Sequence, residues 1–481
     1  MLFNSINYAV FLPIVFIAYW FITHKNLKVQ NFLLLLSSCF FYGFWDYRFL
    51  FVLMVSIFLD FFTAIKMHES KNLFNRKMWL LLSISVNVGF LFFFKYYNFF
   101  IEQFAQLISE FGMKPNYYSL KIILPVGISF YTFHGLSYII DVYKCKAQPT
   151  KDFIAYAVFV SFFPLLVAGP IERAGHLLPQ ILKKRTFDFG FAVDGLKQIL
   201  WGLFKKLVIA DNCAEYANQI FNNQSTYSGS TLVLGALLFS FQIYCDFSGY
   251  SDIAIGSAKL FGIDLLRNFA FPYFSRDIAE FWRRWHISLS SWFKDYIYIP
   301  LGGSNGSKFT KIRNVFIIFL LSGFWHGANW TFIVWGALNA TFFLPLLLLN
   351  RNRKNIEIVA VGKLFPSFKD AIKIILTFSL TTFAWIFFRS ESMTNAFNFI
   401  DRIFTVNFFY LPEVSKKVIP LLLLMIFFIA IEWLGRERQY AISHIAFRKH
   451  YLVRWSFFSF IIFLIGVFMQ TTETPFIYFQ F

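Results

Sequence analysis

The chain has 481 residues, 58% of them hydrophobic and 71 of them phenylalanine, which is more apolar surface than one water-soluble core can bury. This composition excludes an ordinary soluble protein and indicates an integral membrane protein. The net charge of +18 does not indicate a nucleic-acid-binding protein, because its basic residues are spread over short loops and form no single patch.

Apolar runs recur along the whole chain, and a run of roughly 20 residues is enough to cross a bilayer as a helix. They predict an all-α membrane protein with about ten to twelve transmembrane helices. We find no internal repeat and no linker between soluble domains, so residues 1–481 are predicted to form one polytopic membrane domain. The apolar runs are 8–21, 31–64 (a pair), 78–100, 120–140, 153–168, 231–255, 315–349, 372–388, 418–431 and 455–469.

Short basic loops give the predicted orientation, since Lys and Arg concentrate on the cytoplasmic side of a membrane. Basic clusters lie at 66–77, 144–151, 183–185, 351–354 and 436–449, whereas residues 1–6 and 471–481 contain no Lys or Arg. Both termini are therefore predicted on the outer side, with an even number of full crossings.

The stretch YCDFSGYSDIAIG, residues 244–256, places acidic and hydroxyl groups inside an apolar helix. Asp246 and Tyr250 lie one turn apart, as do Ser248 and Asp252, so these side chains could line one wall of a cavity. Carboxylates are expensive inside a membrane and often mark function. A structural interpretation stays open, in which the two aspartates neutralise Arg283, Arg284 or Lys259.

A soluble-looking stretch, residues 268–313, has the spacing of an amphipathic helix, with Glu280 and Arg284 placed to pair one turn apart. Next to His286 stand Trp282 and Arg283, residue types that anchor helices at a membrane interface. Taken alone, this pattern favours an anchoring role in which His286 hydrogen-bonds a backbone carbonyl. The residues predicted to share the apolar face are Phe281, Trp285, Leu289 and Trp292.

The segment LSGFWHGANW, residues 321–330, places His326 inside a run that is too long for one crossing and has arginine at both ends. A break is predicted here, with Gly323 and Gly327 interrupting the helix, and His326 would then lie about 20 Å into the membrane. A histidine buried and neutral at that depth is suited to act as a general base. The alternative is a packing residue bonded to a neighbour such as Asn329. No further ligand stands at metal-binding spacing from His286 and His326.

The chain resembles the membrane-bound O-acyltransferase family, and in particular its bacterial branch of alginate and peptidoglycan O-acetylation membrane components. The resemblance covers residues 1–481 and is most specific between Tyr244 and Asn339. The motifs that carry it are YCDFSGYSDIAIG, FPYFSRDIAEFWRRWHISLSSWFKDYIYIPLGG, SGFWHGANWTFIVWGALN, LPVGISFYTFHGLSYIIDVY, FFPLLVAGPIERA and TPFIYFQF.

The resemblance implies a ring of tilted helices around a central tunnel, with two funnels that meet at a histidine. It implies that His326 is the catalytic histidine and His286 the second functional position. Two residues, His134 and Leu165, stand where the branch usually has glutamine. Around the two histidines we expect substrate-binding side chains from Asp246, Ser248, Tyr250, Asp252, Trp325, Asn329, Arg283 and Trp285.

The resemblance also implies a reaction, in which a small acyl group, in particular acetyl, passes from a cytoplasmic thioester through a membrane tunnel to a hydroxyl acceptor, for modification of an extracytoplasmic polysaccharide or cell-wall polymer. The acceptor hydroxyl belongs either to the polymer or to an intermediate partner protein. The co-substrate would be acetyl-CoA or an acyl-carrier protein, with no bound cofactor and no metal. We expect a bacterial inner-membrane location, contacts with membrane lipids, an extracytoplasmic acyltransferase partner and no nucleic acid. A multi-span transporter, which would normally show duplicated halves, and a non-catalytic scaffold of an export complex remain alternatives.

Overall fold

A computed structural model describes residues 1–112, 120, 122–406, 408–413, 418–444, 450–470, 474 and 476–477. Within these residues the regular secondary structure is helical, without β-strands, which confirms the all-α class. Eight of the described helices are long and apolar enough to cross a membrane, so the chain is a multi-pass membrane protein. Most of the segment 471–481, on which the predicted outer position of the C-terminus depends, lies outside the described residues.

The chain divides into two compact units. The first unit consists of Met1, Ser5–Ala192 and Ser257–Leu266. The second consists of Leu2–Asn4, Val193–Gly256 and Arg267–Phe481.

The first unit contains the predicted helical pair of residues 31–64, which forms α2 and α3. Asn26 caps the start of α2 by accepting hydrogen bonds from the backbone N–H groups of Lys28 and Val29. The run 120–140 becomes helical only at Ile128, because the chain turns at Gly127 with φ of 73°. The helices of this unit are α1 Ile6–Ile17, α2 Leu27–Asp46, α3 Arg48–Glu69, α4 Leu73–Glu110, α5 Ile128–Tyr143, α6 Phe153–Ser161, α7 Phe163–Leu166 and α8 Ala174–Leu182.

The second unit holds the residues that the sequence singled out for chemistry. It begins within α9, which continues through a π-helical stretch, Phe204–Ala210, into α10. None of the predicted apolar runs covers this region, so this long helix was missed. The helices are α9 Phe189–Leu203, α10 Asp211–Asn222, α11 Gly229–Leu260, α12 Ile278–Arg284, α13 Ile287–Phe293, α14 Lys308–His326, α15 Trp330–Leu348, α16 Phe368–Arg389, α17 Met393–Thr405, α18 Val418–Gly435 and α19 Tyr451–Phe468.

The single amphipathic helix predicted around His286 is wrong, because the chain forms two short helices, α12 and α13, with a sharp turn between them. The predicted pair does form, with the Arg284 guanidinium 2.8 Å from the Glu280 carboxylate. The four residues predicted to share one apolar face are all buried in protein, although they lie on both sides of the turn. They are Phe281, Trp285, Leu289 and Trp292.

The predicted break in the run 315–349 is confirmed, because α14 ends at His326 and α15 begins at Trp330. Gly327 takes an extended conformation at the break. Gly323, however, stays helical, and the prediction that it interrupts the helix is wrong. A Cβ atom at Gly323 would lie 2.2 Å from the carbonyl oxygen of Phe332, so this glycine permits close packing of α14 on α15.

Candidate active site

His286 occupies the turn between α12 and α13 in a left-handed backbone conformation, with φ of 43° and ψ of 54°. A non-glycine residue rarely adopts this conformation unless its surroundings impose it. Here the backbone on both sides is tied to one segment: Ile287 N–H donates to the Asn268 carbonyl at 2.8 Å, and Ala270 N–H donates to the Arg284 carbonyl at 2.9 Å. The turn therefore fixes the direction of the Cα–Cβ bond of His286.

His326 is the last residue of α14, and its side chain is 4% exposed. Its ring lies among aromatic rings, with centroid distances of 4.8 Å to Trp325, 5.0 Å to Trp335 and 5.1 Å to Phe388. Trp325 also approaches His286, at 6.1 Å between ring centroids. The end of a helix thus places the imidazole among aromatic rings.

Both histidines line one cavity of about 340 Å³. Trp285 and Arg283, two of the predicted substrate-binding residues, line it as well. The structure therefore brings together residues from α12, the His286 turn and α14. His286 and His326 are 40 positions apart in the chain. A cavity of this size can hold a small ligand beside the two imidazoles.

The cavity has a basic opening. Arg283, Lys294 and Arg353 line it and are exposed, and none of its described lining residues is acidic. Arg283 donates hydrogen bonds to the backbone carbonyls of Asn352 at 2.8 Å and Asn355 at 2.7 Å, which ties α12 to the loop that carries Arg353. The exposed cations therefore give the opening of the cavity a positive potential, and the buried histidines line its interior.

His286, which lies outside the candidate membrane spans, is neutral at physiological pH. Burial disfavours the charged imidazolium and lowers the pKa of His286 to about 3. Neither ring nitrogen has a hydrogen-bond partner among the described residues. The expected anchoring bond to a backbone carbonyl is therefore missing from the described part of the chain, and the ring is available to a ligand in the cavity.

The acidic residues of α11 lie apart from this cavity and form ion pairs. Lys205 pairs with Asp252 at 2.6 Å, and Lys206 contacts Asp246 at 2.9 Å and Asp211 at 2.6 Å. The cations considered from the sequence, Arg283, Arg284 and Lys259, were the wrong ones. Lys205 and Lys206 were missed, although a lysine pair within the apolar run LFKKLVIA was a visible signal.

The two hydroxyl residues predicted beside those aspartates are also engaged. Ser248 accepts a hydrogen bond from Lys205 at 2.9 Å, and the Tyr250 hydroxyl donates to the Asn4 side chain at 2.7 Å. Ser248 and Asp252 line a separate, water-sized polar cavity of about 20 Å³ with Arg267. A direct contact of these residues with a ligand in the histidine cavity stays a prediction.

Asn329 is engaged at the start of α15. Its side-chain oxygen accepts a hydrogen bond from Thr331 N–H at 3.0 Å, and its amide donates to the Glu391 carbonyl at 2.8 Å. These bonds account for the helix start immediately after the break. The packing alternative for His326, which invoked a bond to Asn329, therefore has no support from this side chain's contacts.

His134 and Leu165 belong to the first unit and are fully buried there, on α5 and α7 respectively. The His134 ring packs 6.0 Å from the ring of Phe159. Their effect on donor or acceptor preference stays a prediction. No cluster of three or more His, Cys, Asp or Glu side chains with metal-binding geometry occurs in the described part of the chain.

Comparison with known proteins gives a consistent result. The family described as "MBOAT, membrane-bound O-acyltransferase family" matches residues 146–390, a range that contains both histidines. The chain is 37% identical over 418 residues to a probable alginate O-acetylase of Pseudomonas aeruginosa, covering 86% of this chain and 77% of that protein.

Two further relatives carry different names. A peptidoglycan O-acetyltransferase of Helicobacter pylori is 35% identical over 446 residues, covering 87% of this chain and 82% of that protein. A teichoic acid D-alanyltransferase of Bacillus subtilis is 27% identical over 292 residues, covering 58% and 72% respectively. The named activities share transfer of a small acyl group.

Proposed function

This chain belongs to the membrane-bound O-acyltransferase family. On that premise we propose that it transfers a small acyl group, in particular acetyl, from a cytoplasmic thioester to a hydroxyl acceptor. Transfer to this hydroxyl serves the modification of an extracytoplasmic polysaccharide or cell-wall polymer. The observation that carries this proposal is the single cavity that His286 and His326 share, with cations at its opening.

The donor enters from the basic side. Arg283, Lys294 and Arg353 suit the phosphates of acetyl-CoA or of a phosphopantetheine arm on an acyl-carrier protein. Arg353 belongs to the cluster 351–354, which the positive-inside rule assigns to the cytoplasm. In this proposal residues 1–481 form one domain of ten to twelve crossings whose helices surround a tunnel, and the donor cavity is its cytoplasmic half.

His326 acts as the general base. It takes the proton of the acceptor hydroxyl as the oxygen attacks the thioester carbonyl carbon, and a C–O bond forms. When the tetrahedral intermediate collapses, the C–S bond breaks and His326 returns the proton to the leaving sulfur. The products are an ester and a free thiol, and His326 is again neutral.

His286 stabilises the charge that develops on the carbonyl oxygen. As a neutral imidazole it carries one N–H donor, and the turn between α12 and α13 holds that ring in the cavity. The surrounding tryptophans exclude bulk water, which would otherwise compete with the acceptor for the thioester. No metal or resident cofactor takes part in this scheme.

The acceptor approaches from the opposite side of the membrane. The relatives are named for alginate, peptidoglycan and teichoic acid, all polymers outside the cytoplasmic membrane, which supports an acceptor of that kind. We place the protein in the bacterial inner membrane among its lipids, with both termini on the outer side. An extracytoplasmic acyltransferase partner completes transfer to the polymer.

The test compares cells that lack this protein with cells that carry the wild type or His326→Ala. Acyl esters are released from isolated cell-envelope and secreted polymers and measured by mass spectrometry. We expect the esters to be lost in the deletion and in His326→Ala, although the variant is inserted at wild-type levels. Normal ester levels with His326→Ala would contradict the mechanism and favour a scaffold.

A further inference from the structure

Two cavities approach each other within the second unit. One is the histidine cavity. The other, of about 170 Å³, lies between α11, α16 and α18 and is lined mainly by apolar side chains. Among its lining residues Ile375 is 63% and Ile429 37% exposed. Both belong to helices that are candidate membrane spans, so this second cavity faces hydrocarbon.

Aromatic rings separate the two cavities. Trp285 lines the histidine cavity, and its ring centroid lies 6.1 Å from each of the Tyr244 and Tyr273 rings, which line the apolar cavity. We call Trp285, Tyr244 and Tyr273 the aromatic septum. It is therefore about two rings thick, with one ring on the histidine side.

The septum is held rigidly. The Trp285 side chain is 1% exposed, and it stacks on Phe281 at 5.5 Å and meets Trp385 at 5.1 Å between ring centroids. The Tyr273 hydroxyl donates to the Ser240 carbonyl at 2.5 Å. A ring with neighbours on several sides does not move aside for a ligand without disturbing the packing around it.

The direction of the donor follows from the cavity. A donor bound as proposed above keeps its phosphates at the exposed cations and its carbonyl beside the histidines, so its acyl chain extends further inward. Trp285 is the buried ring that precedes His286 in the chain and lines the same cavity. An acetyl group ends on the near side of Trp285 with one methyl group, whereas each further methylene pushes against the indole.

We propose that the aromatic septum determines acyl-chain length, with Trp285 as the specificity-determining residue that restricts the enzyme to short acyl groups. This inference rests on the proposed thioester donor. The apolar cavity behind the septum is latent space for a hydrocarbon chain. A small side chain at position 285 joins the two cavities, and a medium-length acyl chain then extends from the histidines towards the bilayer side.

The experiment measures binding of two non-hydrolysable thioether analogues, of acetyl-CoA and of octanoyl-CoA, to the purified full-length chain in lipid nanodiscs. The wild type is expected to bind the octanoyl analogue at least about tenfold more weakly than the acetyl analogue. Trp285→Ala is expected to reverse this order, and Trp285→Phe to keep most of it. Trp455→Ala, at an exposed position on α19, is the matched tryptophan control and keeps the wild-type preference.

Each outcome decides a different point. Equal binding of both analogues by the wild type overturns the septum without any variant, so a variant that fails to fold leaves the question answerable. Folded Trp285→Ala that gains no affinity for the octanoyl analogue also overturns it. If the wild type binds neither analogue, coenzyme A is not the donor, which distinguishes failure of that part of the proposed function from failure of the septum.

Discussion

At the scale of single residues, the backbone conformation of His286 makes it possible to test its structural role in the turn separately from the chemical role of its imidazole. The left-handed φ of 43° favours asparagine among non-glycine residues, since asparagine tolerates this region better than glutamine does. His286→Asn therefore preserves the turn while removing the imidazole. His286→Gln removes the imidazole and strains the turn.

We expect His286→Asn and His286→Gln each to lower kcat by roughly a hundredfold, the scale of one positioned oxyanion or acid–base group. Only His286→Gln should also lower the thermal unfolding midpoint. In a His326→Ala background, His286→Asn should cost little more, because groups that act as one unit are lost together. The measurement is acyl transfer by purified protein, with circular dichroism for folding. A His286→Asn enzyme within a few fold of wild type would return this residue to a structural role.

The pH dependence of stability is a second residue-scale prediction. The pKa of His286 falls from 6.5 to about 3 on folding, so between these values the unfolded chain binds a proton that the folded chain does not. His286 therefore makes the folded state less stable as pH falls from 6.5 towards 3. Unfolding midpoints at pH 7 and pH 5 should differ more for the wild type than for His286→Asn. An equal difference in both proteins would show that His286 does not have the lowered pKa.

At the scale of elements, α9 and α10 are helices that hydropathy alone does not reveal. Lys205 and Lys206 interrupt an apolar run, so the sequence placed no membrane helix there, but both lysines are buried against aspartates of α11 and α10. A buried ion pair is visible only when both helices are placed side by side. Most of the long apolar runs, by contrast, coincide with helices, because periodicity and length are local properties. The exceptions are the run 120–140, which becomes helical only at Ile128, and the run 153–168, which forms two short helices.

Of the two breaks near the histidines, only one could be predicted from the sequence, for a similar reason. The break after His326 was predicted because the run was too long and contained glycine. The turn at His286 was not, since its residues have helical spacing and the bonds that impose the turn come from Asn268 and Ala270. Sequence thus singled out both histidines, through local pattern and family resemblance, and their catalytic roles stay a prediction. The shared cavity and the aromatic septum could not be predicted, because they depend on how distant segments pack.

Breaking the Lys205–Asp252 pair tests the element-scale interpretation. Lys205→Met leaves a buried carboxylate without its cation, and we expect a loss of about 3–5 kcal/mol of stability. Lys205→Met combined with Asp252→Asn removes both charges and should recover much of that loss. Denaturant or thermal unfolding in detergent measures the difference. A double variant as unstable as the sum of the two single variants would show that the pair is not coupled.

At the scale of the whole molecule, the number of membrane crossings determines whether the two termini lie on the same side. The eight candidate spans among the described residues leave out shorter apolar helices, Ile6–Ile22 and Phe153–Leu166, and the α14 segment that carries His326. A thinned or tilted arrangement lets such helices contribute to a membrane domain without meeting a length criterion for crossing. Ten to twelve crossings therefore stays a prediction, and orientation is the property that labelling can test.

Cys145 supplies an internal reference for that test. It is exposed, and it lies in the basic segment 144–151, which the positive-inside rule assigns to the cytoplasm. The other three cysteines, Cys39, Cys213 and Cys245, are buried or only partly exposed. A membrane-impermeant thiol reagent should therefore label the wild type only after permeabilisation, at Cys145.

A cysteine added after Phe481 in a Cys145→Ser background should behave oppositely and react in intact cells, because residues 471–481 contain no Lys or Arg and are predicted to lie outside. The measurement is the mass shift of purified protein after labelling with and without permeabilisation. The two proteins differ in the position of the reactive thiol, so the comparison controls for reagent access. If both sites react only after permeabilisation, the C-terminus is cytoplasmic and the number of crossings between Cys145 and the C-terminus is even. If the added cysteine alone reacts in intact cells, the C-terminus lies outside, as predicted, and that number is odd.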